Sequence, residues 1–329
     1  MLTRRNFLSG ATSLSAVGLV NASPLWAAAP GNLILHGPPA GPSIALAHVA
    51  ARGKLSHHVP QMGFKTWRNP DQLRAGVTSG TMQVTGTPTY VAANMANQGV
   101  GVRLLNVMTF GLLYVVSTDE TVNGFADLSG KKVVMFYKND MPDLVFQHVA
   151  RESGMTIGKD VDLVYVSNPM QAIAMLISGR AQTAVLPEPA ATASLFQGLK
   201  NSVPVRRAIN LQDEWARVTG RAPRIPQAGV LVAEPLLQSK PELIKDLQQA
   251  IAGSVTWTTN NPASAGALSA DYMGVNAKVI EKSIPWCNLA ATTAAEAREE
   301  LEFFFQTLYG TSPAIIGGRM PEASFYLSA

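Results

Sequence analysis

Apolar residues along this chain gather in short runs separated by segments with helical spacing. Leu33–His36, Gln61–Trp67, Val102–Met108, Val133–Phe136, Asp162–Val166, Gln182–Leu186 and Ala228–Ala233 each read as a strand. Asn168 followed by Pro169 supplies an N-cap and a first-turn proline for a helix running through Ile177. Leu243, Ile244, Leu247, Ile251 and Val255 recur at helical spacing between Pro241 and Thr258, and further helices are expected over 262–273 and 293–309. Strands alternating with helices predict an α/β protein with mostly parallel sheets.

The pattern is duplicated. Leu33–His36 and Val133–Phe136 are each followed by a proline-containing loop, Gly37-Pro-Pro-Ala-Gly-Pro42 and Tyr137-Lys-Asn-Asp-Met-Pro142. Each loop opens a helix with the same tail, His48-Val-Ala-Ala-Arg-Gly53 and His148-Val-Ala-Arg-Glu-Ser-Gly154. Ser79-Gly-Thr-Met-Gln83 then answers to Ser178-Gly-Arg-Ala-Gln182, and Thr87-Pro-Thr89 to Leu186-Pro-Glu188. A spacing near one hundred residues is too long for a solenoid and fits two copies of a strand–helix–strand–helix–strand unit. Two such lobes imply a cleft, because ligands of open α/β sheets bind beyond the carboxyl ends of strands. Pro187-Glu188-Pro189 falls at such an end, so Glu188 either points into the cleft or caps the helix beginning at Pro189. Pro241 onward has no counterpart, and its helices are expected to pack back on one of the lobes.

Composition narrows the picture. With 329 residues, 47% hydrophobic and 15% charged, the chain is long enough for two lobes and too apolar to be disordered. The net charge of +4 includes two N-terminal arginines, and no basic run with interleaved aromatics is present, so nucleic acid is excluded as a partner. Met1-Leu-Thr-Arg-Arg-Asn-Phe-Leu-Ser9, a weakly apolar stretch to Trp26 and Ala27-Ala-Ala-Pro30 make a signal peptide over 1–29. Cleavage after Ala27 is favoured, since a cut after Ala29 would leave Pro30 first. Arg4-Arg5 followed by Phe7-Leu8 resembles a twin-arginine export signal, the alternatives being an ordinary secretory signal or a membrane anchor. The apolar stretch is too short to span a bilayer, and the mature protein is expected in a bacterial periplasm. The single cysteine, Cys287 beside Trp286, reads as a buried apolar side chain.

Catalytic signatures are missing: there is no cysteine pair, His-Glu-x-x-His, Gly-x-Ser-x-Gly or phosphate loop. His57-His58 are adjacent, so on a helix or strand their side chains diverge, and a surface pair is preferred to a metal site. No catalytic residue, metal or cofactor is assigned.

These patterns resemble the periplasmic solute-binding proteins of ABC importers, in the branch that handles alkanesulfonates, taurine, nitrate and thiamine-pyrimidine precursors. The likeness is carried by Phe125-Ala-Asp-Leu-Ser-Gly-Lys-Lys132, by Ala172 to Pro189, by Ile225-Pro-Gln-Ala-Gly-Val-Leu-Val232 ahead of Pro241-Glu-Leu, and by Ile316-Gly-Gly-Arg-Met-Pro-Glu322 with Phe325-Tyr326. It implies the two-lobed (type II) periplasmic-binding-protein fold, each lobe a mostly parallel sheet flanked by helices, joined by two crossings and closing on a small-molecule ligand. The crossings are expected near Val115–Thr118 and Ala208–Asp213, giving one lobe of 30–115 with 214–329 and a second of 116–213. The implied role is capture of a sulfonate-, taurine- or thiamine-pyrimidine-like solute by a monomer. The solute would be delivered to inner-membrane permease subunits after passage through the twin-arginine machinery. The alternatives are an exported sensor or an enzyme on the same fold. A eukaryotic relative makes the thiamine pyrimidine with a cysteine-rich motif, which this chain lacks.

Strand ends and family positions together nominate the ligand contacts. Pro39 to Ser43 form the first loop, where Ser43 suits an oxygen-rich group or a helix cap. Thr87, Thr89 and Tyr90 follow at the next strand end, and Phe110 and Gly111 precede the first crossing. Tyr137, Asn139, Asp140 and Met141 mirror the first loop, Gln227 sits at the second crossing, and Glu188 completes the set. A facing Glu188 would disfavour a pure anion and favour a zwitterion or an aminopyrimidine stacked on Tyr90, Phe110 or Tyr137.

Overall fold

The structure is a computed structural model that describes residues 32–53 and 55–328; the expected signal peptide lies outside them. The first copy of the repeat runs β1 (Asn32–Gly37), α1 (Pro42–Arg52), β2 (Gln61–Thr66), α2 (Pro70–Thr78), β3 (Val84–Pro88), α3 (Thr89–Asn97) and β4 (Val102–Thr109). After β5 (Leu113–Ser117) the second runs β6 (Lys131–Phe136), α4 (Met141–Glu152), β7 (Val161–Val166), α5 (Pro169–Ile177), β8 (Thr183–Pro187), α6 (Ala190–Lys200) and β9 (Arg206–Asn210). Then come α7 (Leu211–Thr219), β10 (Ala228–Ala233), α8 (Glu234–Ser239), α9 (Pro241–Asn260), α10 (Pro262–Met273), α11 (Ala277–Ser283), β11 (Leu289–Thr293) and α12 (Arg298–Thr311).

Two sheets result, ordered β11-β4-β10-β3-β1-β2 and β7-β6-β8-β5-β9. Within the first, β1, β2, β3 and β4 run one way and β10 and β11 oppose them. In the second, only β5 is reversed. The reversed strands β10 and β5 occupy equivalent places, each inserted between the third and fourth strands of a copy after the chain has arrived from the other sheet. The duplication read in the sequence is therefore a duplication of topology.

The shared motifs are helix punctuation. Asn69 and Asn168 each accept from the backbone N–H three residues on, at 2.9 and 3.1 Å, ahead of a first-turn proline. Gln72 and Gln171 return the bond to Arg68 and Ser167 at 2.8 and 2.9 Å, so a reciprocal cap opens α2 and α5 alike. The repeated Ser-Gly pairs close those helices, with Gly80 and Gly179 at φ 78° and 71°, a left-handed turn that glycine adopts without strain.

The sheets are joined at two places. The expected crossing at Val115–Thr118 falls in and just after β5, because Val115 and Val116 pair with β8 and β9; the chain passes between sheets at 110–112 instead. The expected crossing at Ala208–Asp213 is the end of β9 and the start of α7, which packs on β5 and α4, so the return link is 220–227. Helices α9 and α10 pack on α1 of the first sheet, whereas α12 reaches across to α4 of the second. That last helix begins at Arg298, later than the expected 293, because Thr293 ends β11 and its N–H is held by Glu296 at 3.0 Å. Among the described residues no helix is long and apolar enough to cross a membrane.

Candidate functional site

The carboxyl ends of β1, β2 and β3 face those of β6 and β8 across a cleft with a cavity volume of about 110 Å³. That is room for several waters, or for one small organic molecule. The first copy lines it with Pro38, Ala40, Pro42, Trp67, Pro88 and Tyr90. The second contributes Phe136, Tyr137, Asp140, Met141 and Pro187, and the two links between the sheets add Leu112 and Gln227. No Lys, Arg or His is among the lining residues, and Asp140 is the sole carboxylate.

Five nominated residues therefore meet at the cavity: Tyr90, Tyr137, Asp140, Met141 and Gln227. Tyr137 and Asn139 hold left-handed backbone at φ 55° and 60°, a conformation that costs a non-glycine residue about 1–2 kcal/mol and recurs at binding sites. It lets the short loop turn Tyr137 inward. Asp140 caps α4 by accepting from the Met141 N–H at 3.0 Å. Burial pushes its carboxyl above the ordinary range, opposed by that hydrogen bond and by the charge of Arg74 on the facing lobe. Burial likewise raises the Tyr137 phenol. Gln227 accepts from the Leu112 N–H at 3.1 Å through its side-chain oxygen and takes the Thr89 N–H on its carbonyl at 3.1 Å, so it ties both links to the cavity floor.

The other nominated residues do not line the cavity. Pro39 is exposed beside it. Ser43 is wholly buried and donates to the Pro38 carbonyl, closing its own loop. Thr87 is buried in β3, and Thr89 donates to Pro226 O at 2.6 Å. Phe110 lies beneath the Arg224 guanidinium, 3.4 Å from its ring centroid. Gly111 has φ 112°, and a β-carbon there would sit 2.3 Å from Cγ of Gln212, so only glycine fits this link. The exposed Asn139 directs its N–H to Asp143 at 2.8 Å.

Glu188 does not line the cavity either. It is wholly buried and its carboxylate faces Arg207 rather than the cavity. Oε1 accepts from Arg207 Nε at 2.8 Å and from Nη2, while Oε2 takes the Thr192 N–H at 3.1 Å and hydroxyl at 2.7 Å. Of the two readings left open by the sequence, the helix-side one describes these contacts. Burial pushes its carboxyl up, and Arg207 and Thr192 pull it down. Arg207 is stacked in turn on Trp286, 4.3 Å from the ring centroid. The Glu188 carbonyl accepts from Gly41 N at 3.3 Å, so this pair sits where the two lobes touch.

Trp67 was missed because it closes an apolar run that reads as strand. Its N–H binds Gly37 O and its indole Nε1 binds Gly86 O at 3.1 Å, which lifts it out of β2 onto the cavity wall. The prolines at every strand end were the visible signal for the remaining apolar wall. Cys287 is buried and donates to Ser283 O at 3.2 Å, and burial pushes its thiol up, as suits an inert side chain.

Comparisons with known proteins place this architecture. An ABC transporter structure from Parabacteroides distasonis superposes with a TM-score of 0.76 at 18% identity, covering 90% of this chain and 98% of that one. The periplasmic aliphatic sulphonate binding protein SsuA from Escherichia coli gives 0.67 at 17% identity, covering 90% and 99%. The periplasmic nitrate-binding protein NrtA from Synechocystis PCC 6803 gives 0.58 at 16% identity, covering 77% and 69%. A search of curated protein sequences found no significant match. The model of the NMT1/THI5-like family matches residues 77–265, more than half of the chain and both sides of the cleft. The chain has the two-lobed fold of periplasmic solute-binding proteins and belongs to the NMT1/THI5-like family.

Proposed function

We propose that this protein is the extracytoplasmic solute-binding component of an ABC import system, exported by the twin-arginine route and working as a monomer. Its lobes, hinged at 110–112 and 220–227, close on a small organic ligand and present it to the permease. The ligand reading is carried by one observation, the composition of the cleft. Trp67, Tyr90, Phe136 and Tyr137 are among its lining residues, and the only charge in the lining is the carboxylate of Asp140. Such walls favour a flat ring, with about 0.5–1.5 kcal/mol from each well-placed aromatic pair beyond burial. A carboxylate favours a ligand donor or positive group.

An anion without a positive group finds no cation among the lining side chains, Arg74 acting only from behind the wall on Asp140, and meets one like charge. At 4 Å and the effective dielectric of a protein surface that repulsion is about 4 kcal/mol. Of the ligand classes the sequence left open, an aminopyrimidine of the thiamine-precursor type fits best. A zwitterion such as taurine comes second, and nitrate or a simple alkanesulfonate last. The test is a thermal-shift screen of the mature protein across these four classes, followed by mass spectrometry of the recovered ligand. Aminopyrimidines are expected to raise the melting temperature most and to return unchanged. Tight binding of nitrate or a simple alkanesulfonate would overturn the ligand class, and recovery of a converted molecule would overturn the role.

A further inference from the structure

A cluster at the far end of the first sheet lies outside the cleft. His57 and His58 do not diverge as adjacent residues on a strand or helix would. They occupy a tight turn between α1 and β2 in which the His58 and Val59 N–H groups both reach Leu55 O at 3.0 Å. The turn swings both imidazoles to one side, with ring centroids 4.1 Å apart, and both Nε2 atoms converge on one oxygen of Asp246. The distances are 3.1 Å from His57 and 2.8 Å from His58.

Both elements are fixed from beneath. Leu55 and Val59 flank the histidines and are buried in the same core as Leu243, Ile244 and Leu247, which flank Asp246 on α9. Lys240 adds a hydrogen bond to the His58 carbonyl at 3.3 Å. The three donors therefore stand on two anchored elements and not on flexible side chains alone. The cleft lies at the opposite end of β2, whose six residues span roughly 20 Å.

We propose that His57, His58 and Asp246 form a surface site for a divalent transition-metal ion of the zinc or copper class. Their three ligand atoms lie within 4.8 Å of one another. Around a tetrahedral ion with bonds of about 2.0–2.2 Å, neighbouring donors stand roughly 3.3 Å apart, so the two contacts to Asp246 need open by only a few tenths of an ångström. Two imidazole nitrogens and one carboxylate suit borderline ions and not magnesium or calcium, which take oxygen shells. The exposure of His57, 60% of its side chain, leaves the fourth position to water or to a donor from another molecule.

The test uses the mature protein without a histidine tag, titrated with zinc by isothermal calorimetry. Cobalt absorption then reports coordination number. One equivalent of zinc is expected to bind, with magnesium silent and cobalt giving a four-coordinate spectrum. His57→Ala and Asp246→Asn should each weaken zinc at least tenfold while the circular dichroism spectrum stays native. His148→Gln, on the other lobe, should leave zinc binding unchanged. Absence of stoichiometric binding, or binding that survives both His57→Ala and Asp246→Asn, would overturn the proposal and leave the cluster as two imidazoles hydrogen-bonded to a carboxylate.

Discussion

The loops 37–42 and 137–142 follow β1 and β6, equivalent strands of the two copies, yet differ in backbone: Tyr137 and Asn139 are left-handed at φ 55° and 60°, whereas Gly37 and Pro39 are not. Each leaves the carboxyl end of a parallel strand and enters a helix through a first-turn proline, Pro42 or Pro142. The first, Gly-Pro-Pro-Ala-Gly-Pro, carries no polar side chain. It gives the cavity an apolar wall and brings backbone close to the other lobe, where the Gly41 N–H donates to Glu188 O at 3.3 Å. The second, Tyr-Lys-Asn-Asp-Met-Pro, carries the phenol and the carboxylate. Even the supporting bond is inverted: Ser43 donates to its loop, whereas Asp143, at the matching position, accepts from Asn139 at 2.8 Å. Duplication supplied two equivalent mouths, and divergence gave the polar chemistry to one. An asymmetric ligand then has one favourable orientation.

The largest contrast is expected between Glu188 and Thr89, which directly follow the third strand of each copy. Thr89 makes one buried hydrogen bond to Pro226 O, at 2.6 Å. Glu188 is an ionic partner for Arg207 with 0% of its own side chain exposed. Removing one member of a buried pair strands the other, which costs about 3–5 kcal/mol. Glu188→Ala should therefore lower the melting temperature by roughly 10 °C. Thr89→Ala should cost about 1 kcal/mol. Calorimetric melting of both variants decides it; equal losses would mean that the two strand ends are not differently anchored.

The two links between the lobes invite a similar test. An alanine at Gly111 meets Gln212 at 2.3 Å in a left-handed conformation, whereas Gly220 at φ 67° has nothing within 4 Å of its would-be β-carbon. Gly111→Ala is expected to destabilise by about 2–4 kcal/mol, strain plus overpacking. Gly220→Ala should cost only the strain, about 1 kcal/mol. Urea denaturation at fixed pH gives both values, and a Gly220 variant as damaging as the Gly111 one would show that the second link is as tightly packed as the first.

How far the sequence carried depends on range. The Asn-Pro openings and Ser-Gly endings of α2 and α5 are local signals, legible because each cap is made by residues a few positions apart. The reversed strand β5 reads as a crossing in the sequence because its identity lies in pairing with β8 and β9, some seventy to ninety residues on. The partner of Glu188 was hidden for the same reason, since Arg207 reaches it from β9. A buried carboxylate demands a cation, so Arg206-Arg207 at the head of a strand was the available clue. Of the cavity, the loop residues Tyr137, Asp140 and Met141 were legible from the repeat. Trp67 was not, because the strand pattern runs through it and only its bond to Gly86 shows where the indole turns.

Asp140 tests the chemical asymmetry of the two loops directly. Asp140→Asn keeps the shape and the cap and removes the charge, so a basic ring ligand should bind at least tenfold more weakly, a loss of about 1.4 kcal/mol. Pro39→Ala, on the exposed part of the opposite loop, should leave affinity unchanged. Calorimetric titration of each variant with the best ligand from the screen checks this. Equal responses from the two loops would remove the asymmetry.

The smallest effect separates His48 from His148, the same position in the two copies. His48 is buried, bonded to Ser254 at 2.9 Å and stacked on Trp257 at 3.8 Å. His148 is half-buried, 3.2 Å from Arg151 and 5.4 Å from the Trp215 ring centroid. Burial lowers the His148 pKa below its ordinary 6.5, Arg151 adding to the effect and Glu152 opposing it. Above pH 6.5 the imidazole is neutral in folded and unfolded chains alike. As pH falls below that value the unfolded chain takes the proton first, so stability is lost down to the lower folded pKa. His148→Gln should therefore flatten the fall in melting temperature on the acid side of pH 6.5 while changing it little at pH 8. His48→Gln should already lower it at pH 8, through lost packing and hydrogen bonding. A His148 variant with the wild-type slope would show that the duplicated histidines differ in burial but not in proton linkage.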